Sequence, residues 1–286
     1  MPTKVEKDVV TGTDTTGHEW DGIKELNTPL PKWWVYVFWA TVVWSAVYFV
    51  LYPSVPWFTG YFKGVLGYSQ RVTLDKSLKD ARAAQAKYRT KIKAATPAAI
   101  LKDNELRTFA IAGGRSAFAD NCAPCHGPGG GGRPGAPVLA DDDWLWGGTI
   151  EAIYQTIRYG IRSGHDEARS GDMPAFAADD TLKPDQISAV ADYVLSLSGQ
   201  GTASEAGKKI FAENCAACHG AKGKGNTGVG APNLTDAIWL YGRDKKAIVS
   251  QVSKPKHGVM PSWTGRLDAE TIKMLAVYVH SLGGGK

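Results

Sequence analysis

The feature that most constrains this chain is a five-residue signature, C-x-x-C-H, that occurs twice. The copies, which begin 93 positions apart, are Cys122-Ala-Pro-Cys125-His126 and Cys215-Ala-Ala-Cys218-His219. They contain all four cysteines of the chain. Residues i and i+3 of a helical turn point the same way, so both thiols of a pair can form thioethers with one haem, and the next residue places an imidazole under the iron. The pattern predicts two covalently attached haem c groups, one at each copy.

Other uses of paired cysteines fit the sequence less well. A thioredoxin-like C-x-x-C requires a βαβ context, whereas residues 114–121 and 207–214, which precede the two motifs, have the pattern of a helix. A structural zinc site would close two C-x-x-C pairs on one ion, but a histidine directly after each pair indicates two separate sites. Disulfide frameworks belong to shorter chains with poorer cores.

The two motifs lie in matching contexts, which form an internal repeat. The paired positions include Gly114 with Gly207, Phe118 with Phe211, Trp144 with Trp239, and Tyr193 with Tyr278. Each copy ends in a predicted amphipathic helix, over 186–197 and over 271–282. The sequence predicts a mainly α fold with two tandem cytochrome c domains, residues 107–199 and 200–286. Domains of about 90 residues are small for a self-sufficient core, which a buried haem would supplement.

Other residues of each repeat are expected to surround its haem. The two tryptophans, Trp144 and Trp239, are expected to pack in the haem pockets. The glycines of 127–132 and 220–230 are interpreted as places where the backbone passes close to the porphyrin. A phosphate-binding loop is excluded because no Lys-Ser/Thr follows these glycines.

Methionine is the residue type that fits the sixth iron ligand of an electron-transfer haem. Of the four methionines, Met1 begins the chain and Met274 has the spacing of a core residue in the last helix. Met173 and Met260 each precede a proline, which disfavours helix for the residue before it and favours an extended loop. A thioether ligand raises the reduction potential of a haem. The predicted axial ligands of the irons are His126, Met173, His219 and Met260. The sequence leaves open which methionine serves which haem, and ligation within each repeat is the default.

The remaining four histidines are scattered, and solvent exposure is the expected state of all of them. His165 and His257 lie ahead of the Met-Pro motifs and are fallback iron ligands, whereas His18 lies in the N-terminal tail and His280 in the final helix. Oxygen reduction at a haem–copper centre needs several clustered histidines and an open iron position. The chain is therefore expected to carry electrons without being an enzyme by itself, and no catalytic residue is predicted.

Residues 33–52 contain no charged side chain over 20 positions, which is the length of a helix that spans a bilayer core of about 30 Å. Tryptophans at 33, 34 and 57 and a tyrosine at 52 suit the two interfacial belts. A cleavable signal peptide does not fit, because 32 residues precede the stretch and no small-residue cleavage site follows it. We predict one transmembrane helix over 33–53 after an N-terminal tail of residues 1–32.

Charge is concentrated on one side of this helix. Residues 1–32 hold four Lys against six acidic residues, whereas residues 63–93 hold nine Lys or Arg against two Asp. Counting positive charges alone would place the C-terminal side in the cytoplasm. However, long domains translocate largely regardless of charge, and covalent haem attachment in bacteria occurs outside the cytoplasmic membrane. We therefore expect a cytoplasmic tail, a periplasmic linker over 54–106 and periplasmic haem domains. Residues 94–286 are formally neutral, so the overall charge of +5 is not the signature of a nucleic-acid-binding protein.

The linker contains the basic segment. From Leu74 to Ile92, apolar or neutral residues recur at alternating steps of four and three, which predicts a basic amphipathic helix that ends before Thr96-Pro97. Such a helix either spaces the haems from the membrane or docks on a partner or on anionic headgroups. The sequence leaves these roles open.

Taken together, these segments resemble one family over essentially the whole chain. Residues 17–34 read GHEWDGIKELNTPLPKWW, and one membrane helix that ends in Tyr52-Pro53 and two C-x-x-C-H domains follow them. This arrangement resembles FixP/CcoP, the dihaem subunit of cbb3-type cytochrome c oxidases. The tail motif is the specific part, because C-x-x-C-H alone fits any c-type cytochrome.

The resemblance implies a bacterial inner-membrane complex with a catalytic haem–copper subunit (FixN/CcoN), a monohaem subunit (FixO/CcoO) and often a small fourth subunit (FixQ/CcoQ). In that family, this subunit accepts electrons from a periplasmic cytochrome c or the cytochrome bc complex and relays them to the monohaem subunit. Oxygen reduction and proton pumping occur elsewhere in the complex. Two other classes remain open: a free-standing membrane-anchored dihaem shuttle, and a periplasmic dehydrogenase or peroxidase, or the cytochrome subunit of one.

Overall fold

The computed structural model describes residues 4–283, and its elements are mainly helical, which confirms the predicted fold class. The chain divides into two compact units, one that ends at Ala83 and one that begins at Ala84. The helices are α1 (Lys32–Leu51), α2 (Gln70–Ala94), α3 (Pro97–Lys102), α4 (Asn104–Asn121), α5 (Ala123–His126), α6 (Ile150–Tyr159), α7 (Pro184–Leu197), α8 (Glu205–Asn214), α9 (Ala216–His219), α10 (Lys245–Ser253) and α11 (Ala269–His280). The strands are β1 (Thr15–Trp20), β2 (Ile23–Leu26), β3 (Pro56–Trp57) and β4 (Gly60–Tyr61).

The first unit contains the N-terminal tail and the predicted membrane helix. Strands β1 and β2 form an antiparallel hairpin in the tail, and β3 and β4 form a second, shorter hairpin after α1. Helix α1 buries none of its side chains within the protein. By length and composition it is the one helix of residues 4–283 that could cross a membrane. It starts and ends within two residues of the predicted span.

Helix α2 includes the predicted basic amphipathic helix and extends it at both ends. The second unit holds its C-terminal turns. There Ile92 is fully buried, and Lys273 Nζ of α11 donates to the carbonyl oxygens of Ile92, Lys93 and Ala95 at 3.1, 2.8 and 2.7 Å. The helix ends as predicted, because Thr96 accepts a hydrogen bond from the Ala99 N–H and caps α3.

In the second unit, the C-terminal helices of the two sequence repeats are exchanged. Helix α4 of the first repeat packs on α11 of the second, which also contacts α6, whereas α7 of the first repeat packs on α8 and α10 of the second. The ring centroids of Phe118 and Tyr278 lie 5.3 Å apart, and those of Phe211 and Tyr193 lie 5.2 Å apart. Each phenylalanine therefore meets the tyrosine of the other repeat.

Two glycines permit this close packing. A Cβ at Gly114 in α4 would collide with the main-chain oxygen of Met274 in α11, and a Cβ at Gly207 in α8 would collide with that of Ala189 in α7. A larger residue at either position would push the paired helices apart, because packed cores leave no free space for added atoms. The glycines matched in the sequence repeat thus have the same packing role.

The exchanged pairs form two hydrophobic clusters. The Cys122 cluster contains Phe118, Cys122, Ile153, Leu275 and Tyr278 among its buried and packed residues. The Cys215 cluster contains Phe176, Val190, Val194, Phe211 and Cys215. Each cluster draws helices from both repeats, so the predicted boundaries 107–199 and 200–286 describe sequence repeats and stay predictions for domains.

Candidate functional site

Each C-x-x-C-H motif forms one short helical turn that directly follows a longer helix. Helix α4 leads into α5 and the first motif, and α8 leads into α9 and the second. In each motif the first cysteine is buried and the second is exposed, and no disulfide joins any of the four. The first cysteine of each pair belongs to a hydrophobic cluster, and the second cysteine and the histidine follow it within the same helical turn, which is the spacing that haem attachment requires.

Burial reinforces the thiol form of the first cysteine in each motif. It raises the pKa of the Cys122 thiol to about 11, with a further contribution from Cys125, and it raises that of Cys215 to about 11 in the same way. Redox cysteines of the thioredoxin type have lowered pKa values. The raised values therefore oppose a thioredoxin-like role for these pairs.

The two histidines are held in the same orientation. His126 Nδ1 donates to the Pro137 carbonyl oxygen at 3.0 Å, and His219 Nδ1 donates to that of Pro232 at 3.1 Å. Burial lowers the pKa of both imidazoles, although these hydrogen bonds partly oppose the shift. A neutral imidazole that donates through Nδ1 keeps the lone pair of Nε2 for a metal. Both histidines therefore have the form of an axial ligand.

The loop after each motif is built from equivalent hydrogen bonds. The Gly132 N–H donates to the His126 carbonyl oxygen at 2.6 Å, and the Gly225 N–H donates to that of His219 at 2.8 Å. Further along, Leu139 donates to Gly130 and Leu234 donates to Gly223, both at 2.7 Å. These glycines thus shape two copies of one loop.

The predicted methionine ligands lie in extended loops, as their prolines indicated. Met260 packs against the Cys122 cluster, and Met173 packs against the Cys215 cluster. Each methionine therefore accompanies the cysteine pair of the other repeat. This packing favours crossed ligation over ligation within each repeat, which is the default from sequence, because the C-terminal part of each repeat is exchanged. Met274 is buried in α11, as its spacing predicted.

The loops of both repeats line a shared cavity of about 1430 Å³. Pockets for single small ligands usually measure about 300–1000 Å³, so this space is large enough for more than one such group. Trp144 and Trp239 line it, and their place in the haem pockets stays a prediction. The Trp144 Nε1 and Asp141 Oδ1 atoms are buried there without a hydrogen-bond partner in the part of the chain that the structure describes. Buried polar atoms normally have partners, and a large polar-edged group such as a haem fits this lining.

The other histidines differ in exposure and in contacts. His18 and His257 are exposed, as predicted, whereas His165 and His280 are half-buried. The ring centroid of His165 lies 4.7 Å from that of Tyr159. His257 Nε2 accepts a hydrogen bond from the Met173 N–H at 3.1 Å. His257 is thus part of the support of a predicted ligand, a role that sequence reasoning did not assign to it.

The two cysteine pairs lie in different clusters. Within residues 4–283, no group of three or more His, Cys, Asp or Glu side chains is placed to hold a metal ion. The C-x-x-C pairs do not converge on one ion, and the geometry describes two separate and equivalent sites.

Comparison with known proteins gives matches along most of the chain. The family model described as the N-terminal domain of cytochrome oxidase-cbb3, FixP, matches residues 12–59. The family model described as cytochrome C oxidase, cbb3-type, subunit III matches twice, over residues 109–194 and 202–279. The second model thus finds the same internal repeat that the sequence shows.

Curated relatives match over nearly their full length. The chain is 54% identical over 285 residues to the "Cbb3-type cytochrome c oxidase subunit FixP" of Bradyrhizobium sp. (strain ORS 278), with 98% of each chain covered. It is 54% identical over 291 residues to the "Cbb3-type cytochrome c oxidase subunit CcoP" of Azospirillum sp. (strain B510), again with 98% of each covered. It is 52% identical over 283 residues to the FixP subunit of Sinorhizobium medicae (strain WSM419), with 98% of this chain and 97% of the relative covered.

Proposed function

The chain belongs to the FixP/CcoP family of cbb3-type cytochrome c oxidase subunits, and from this membership we propose that it holds two covalent haem c groups and relays electrons within the oxidase. Cytochrome c domains imply haem c, which supplies one-electron transfer at its iron. The observation that carries the proposal is the duplicated geometry. Two equivalent histidines are oriented by carbonyl oxygens beside two equivalent cysteine pairs.

The residues of the chain have distinct roles in this proposal. Two cysteines at each motif form the thioethers, and the histidine of the motif gives its Nε2 to the iron while Nδ1–H stays bonded to a proline carbonyl. Met260 completes the site at Cys122 and Cys125, and Met173 completes the site at Cys215 and Cys218, as their packing supports. The aromatic and aliphatic clusters exclude water from one side of each site, and a low-dielectric, thioether-ligated site has a raised potential.

The partners follow from the family. We propose that electrons arrive from a periplasmic cytochrome c or the cytochrome bc complex. They then pass to the monohaem subunit FixO/CcoO and on to the haem–copper subunit FixN/CcoN, with FixQ/CcoQ as a small fourth subunit. Helix α1 has the length to anchor the chain in the bacterial inner membrane. We propose that the N-terminal tail lies in the cytoplasm and the haem domains lie in the periplasm, where covalent haem attachment occurs.

Purification in mild detergent, followed by subunit identification, tests the proposal. We expect this chain to copurify with a haem–copper subunit, and a pyridine haemochrome assay to give two haem c per chain. Recovery of the chain alone would favour the free-standing shuttle. A sample without a haemochrome spectrum would remove the basis for either function.

Carbon monoxide binding distinguishes an enzyme, such as a peroxidase or dehydrogenase, from the two electron carriers, the oxidase subunit and the free-standing shuttle. An iron with histidine and methionine ligands has no open position, so the reduced chain is expected to form no carbon monoxide adduct. An adduct in the purified, reduced chain would indicate an exchangeable ligand, which a peroxidase or dehydrogenase haem requires.

A further inference from the structure

One arginine side chain joins the two methionine loops. Arg162 Nε donates to the Gly258 carbonyl oxygen at 2.8 Å, and Arg162 Nη1 donates to the Gly171 carbonyl oxygen at 2.8 Å. Gly258 lies two residues before Met260, and Gly171 lies two residues before Met173. A single guanidinium therefore holds the equivalent carbonyl group of both loops.

The backbone of Arg162 is itself fixed in an unusual conformation. Among residues 4–283, three residues other than glycine have positive φ; two are aspartates, and the third is Arg162 with φ 50°. Aspartate tolerates this region, whereas a long side chain gains nothing from it and adopts it where the surroundings determine it. The Arg162 N–H donates to the Arg169 carbonyl oxygen at 2.8 Å, which holds this conformation.

The neighbouring residue fastens the same segment to one methionine. The Ile161 N–H donates to the Met260 carbonyl oxygen at 2.9 Å, and the Met260 N–H donates to that of Ile161 at 3.0 Å. The backbone next to Arg162 is thus already hydrogen-bonded to the Met260 loop. Its side chain extends this connection to the Met173 loop.

The chemistry of the contact favours arginine over lysine. The Arg162 side chain is only 23% exposed, and Asp172 Oδ1 lies 3.8 Å from its Nη1. A planar guanidinium presents several N–H donors in a fixed fork and can hold two carbonyl groups at once, whereas an ammonium is a single point charge on a flexible chain. At this position the fixed arrangement of the guanidinium N–H donors matters as well as the positive charge.

We propose that Arg162 is a positioning residue that ties the two axial-methionine loops together, so that the methionine–iron bonds at both haems depend on one side chain. This inference rests on the proposed function, since it takes Met173 and Met260 as iron ligands. Loss of the fork loosens both loops together, because each loop loses the bond at the same position relative to its methionine and keeps only its other anchor, Ile161 for Met260 and His257 for Met173.

The test uses the full-length chain in detergent with its haems attached. Arg162→Lys keeps the charge and removes the fork, and Arg162→Asn removes both while tolerating positive φ. The matched control is Arg169→Lys, because the Arg169 guanidinium lies in the same loop but donates to Thr156 Oγ1 at 2.7 Å and to other groups of α6. With only four methionines in the chain, isotope labels on their methyl groups resolve the two iron-bound ones by NMR in the reduced state.

We expect both Arg162 variants to keep two covalent haems by the haemochrome assay, and to keep their helical circular dichroism. Both ligand methyl signals should lose their haem-shifted position in comparable fractions of the molecules, and both midpoint potentials should fall. The Arg169→Lys chain should keep both signals.

A loss confined to one methionine, or no loss at either, would overturn the proposal. If the two Arg162 variants lose helical circular dichroism, the methionine signals are measured again in Arg162→Lys at a lower temperature at which the fold is retained. The loss of both signals there supports the proposal, and the loss of one or neither overturns it. If the unaltered chain shows no haem-shifted methionine signal, the proposed function fails instead, and the two failures are thereby distinguished.

Discussion

The backbone N–H of Met173 donates to His257 Nε2 at 3.1 Å, although 84 residues separate them. The equivalent N–H of Met260 donates to the Ile161 carbonyl oxygen at 3.0 Å. Each methionine loop is thus supported by a segment of the other repeat, but the acceptors differ in kind. One is a side chain that can be replaced, and the other is a main-chain oxygen that cannot.

This difference predicts that His257→Ala weakens one methionine ligand only. The substitution leaves the Met173 N–H without its partner, which costs about 1 kcal/mol. That loss corresponds to a fall of at most roughly 40 mV in the one-electron potential of the haem at Cys215. Redox titration at one fixed pH measures it. His165→Ala is the control, because His165 makes no contact with either methionine among the hydrogen bonds and ring contacts of residues 4–283. An equal fall at both haems would contradict the assignment.

Crossed ligation predicts the result of removing each methionine in a chain with one haem. When Cys215 and Cys218 are replaced by Ala, the remaining haem is attached at Cys122 and Cys125. In that background Met260→Leu should abolish the charge-transfer absorption band of methionine-ligated ferric haem, whereas Met173→Leu should leave it intact. Leucine has a similar volume but no sulfur, so packing is largely preserved. The opposite pattern would restore ligation within each repeat.

Much of the fold follows from sequence periodicity and local signals. The uncharged apolar stretch predicts α1, the apolar spacing of four and three predicts α2, and the Met-Pro pairs predict two extended loops. Each of these features depends only on the residues of one segment. The haem motifs are equally local. Each is complete within five residues, so their identification needs no knowledge of tertiary structure.

The exchange of helices could not be predicted from the sequence repeat. Helices α7 and α11 have equivalent apolar faces, so either one could pack on α4 or on α8. A signal was nevertheless present in the loop between α7 and α8, residues 198–204. A connection this short favours antiparallel neighbours, and it places α7 on α8 of the second repeat. The role of Arg162 had no such signal, since its partners are main-chain oxygens, which any sequence contains.

The loop that carries Arg162 predicts a sharp difference between two glycines. Gly160 and Gly164 both have positive φ, 78° and 82°, so alanine is strained at either position. Gly160 also has a ψ of −171°, a combination that is essentially restricted to glycine and costs other residues about 1–3 kcal/mol. At Gly160 the added Cβ would also collide with the Met260 carbonyl oxygen, whereas at Gly164 nothing lies within 4 Å. We expect Gly160→Ala to cost roughly 1–3 kcal/mol more than Gly164→Ala in thermal unfolding. It should also weaken the methionine signal at the Cys122 site. An equal loss of stability in the two variants would contradict this prediction, because it would show that the loop moves to accommodate the added Cβ.

Asp268 predicts a pH-dependent contribution to stability. Its Oδ1 caps α11 by accepting from the Thr271 N–H at 2.7 Å, and its Oδ2 lies 2.8 Å from Arg89 Nη2. Burial by itself raises the pKa of Asp268, but hydrogen bonds from Thr271 and the Arg89 guanidinium outweigh it and lower the pKa below 3.8. A lowered carboxylate pKa stabilises the fold above pH 3.8, and this stability is lost as the pH falls through the folded-state pKa.

The matched variants are Asp268→Asn and Asp103→Asn, since Asp103 caps α4 in the same way and has no ion pair in the described part of the chain. At neutral pH and low salt, Asp268→Asn should lose about 0.2–1 kcal/mol more than Asp103→Asn, because the pair with Arg89 is partly exposed. Thermal unfolding from pH 7 to pH 3 should show this excess shrinking in acid. An excess that persists below the folded-state pKa would show that the charge of Asp268 is not its source.

The exchanged helices predict that core substitutions act on the haem site of the other repeat. Leu275 in α11 and Val190 in α7 are equivalent residues, and both are 0% exposed. Leu275 belongs to the Cys122 cluster and Val190 to the Cys215 cluster. Leu275→Ala should cost about 2–5 kcal/mol, and Val190→Ala less, because fewer buried atoms are removed. Hydrogen exchange read by mass spectrometry should show Leu275→Ala lowering protection in α4 and leaving α8 protected, with Val190→Ala doing the reverse. If each substitution instead loosened the first helix of its own repeat, the helices would not be exchanged, and the crossed assignment of the methionines would lose its structural support.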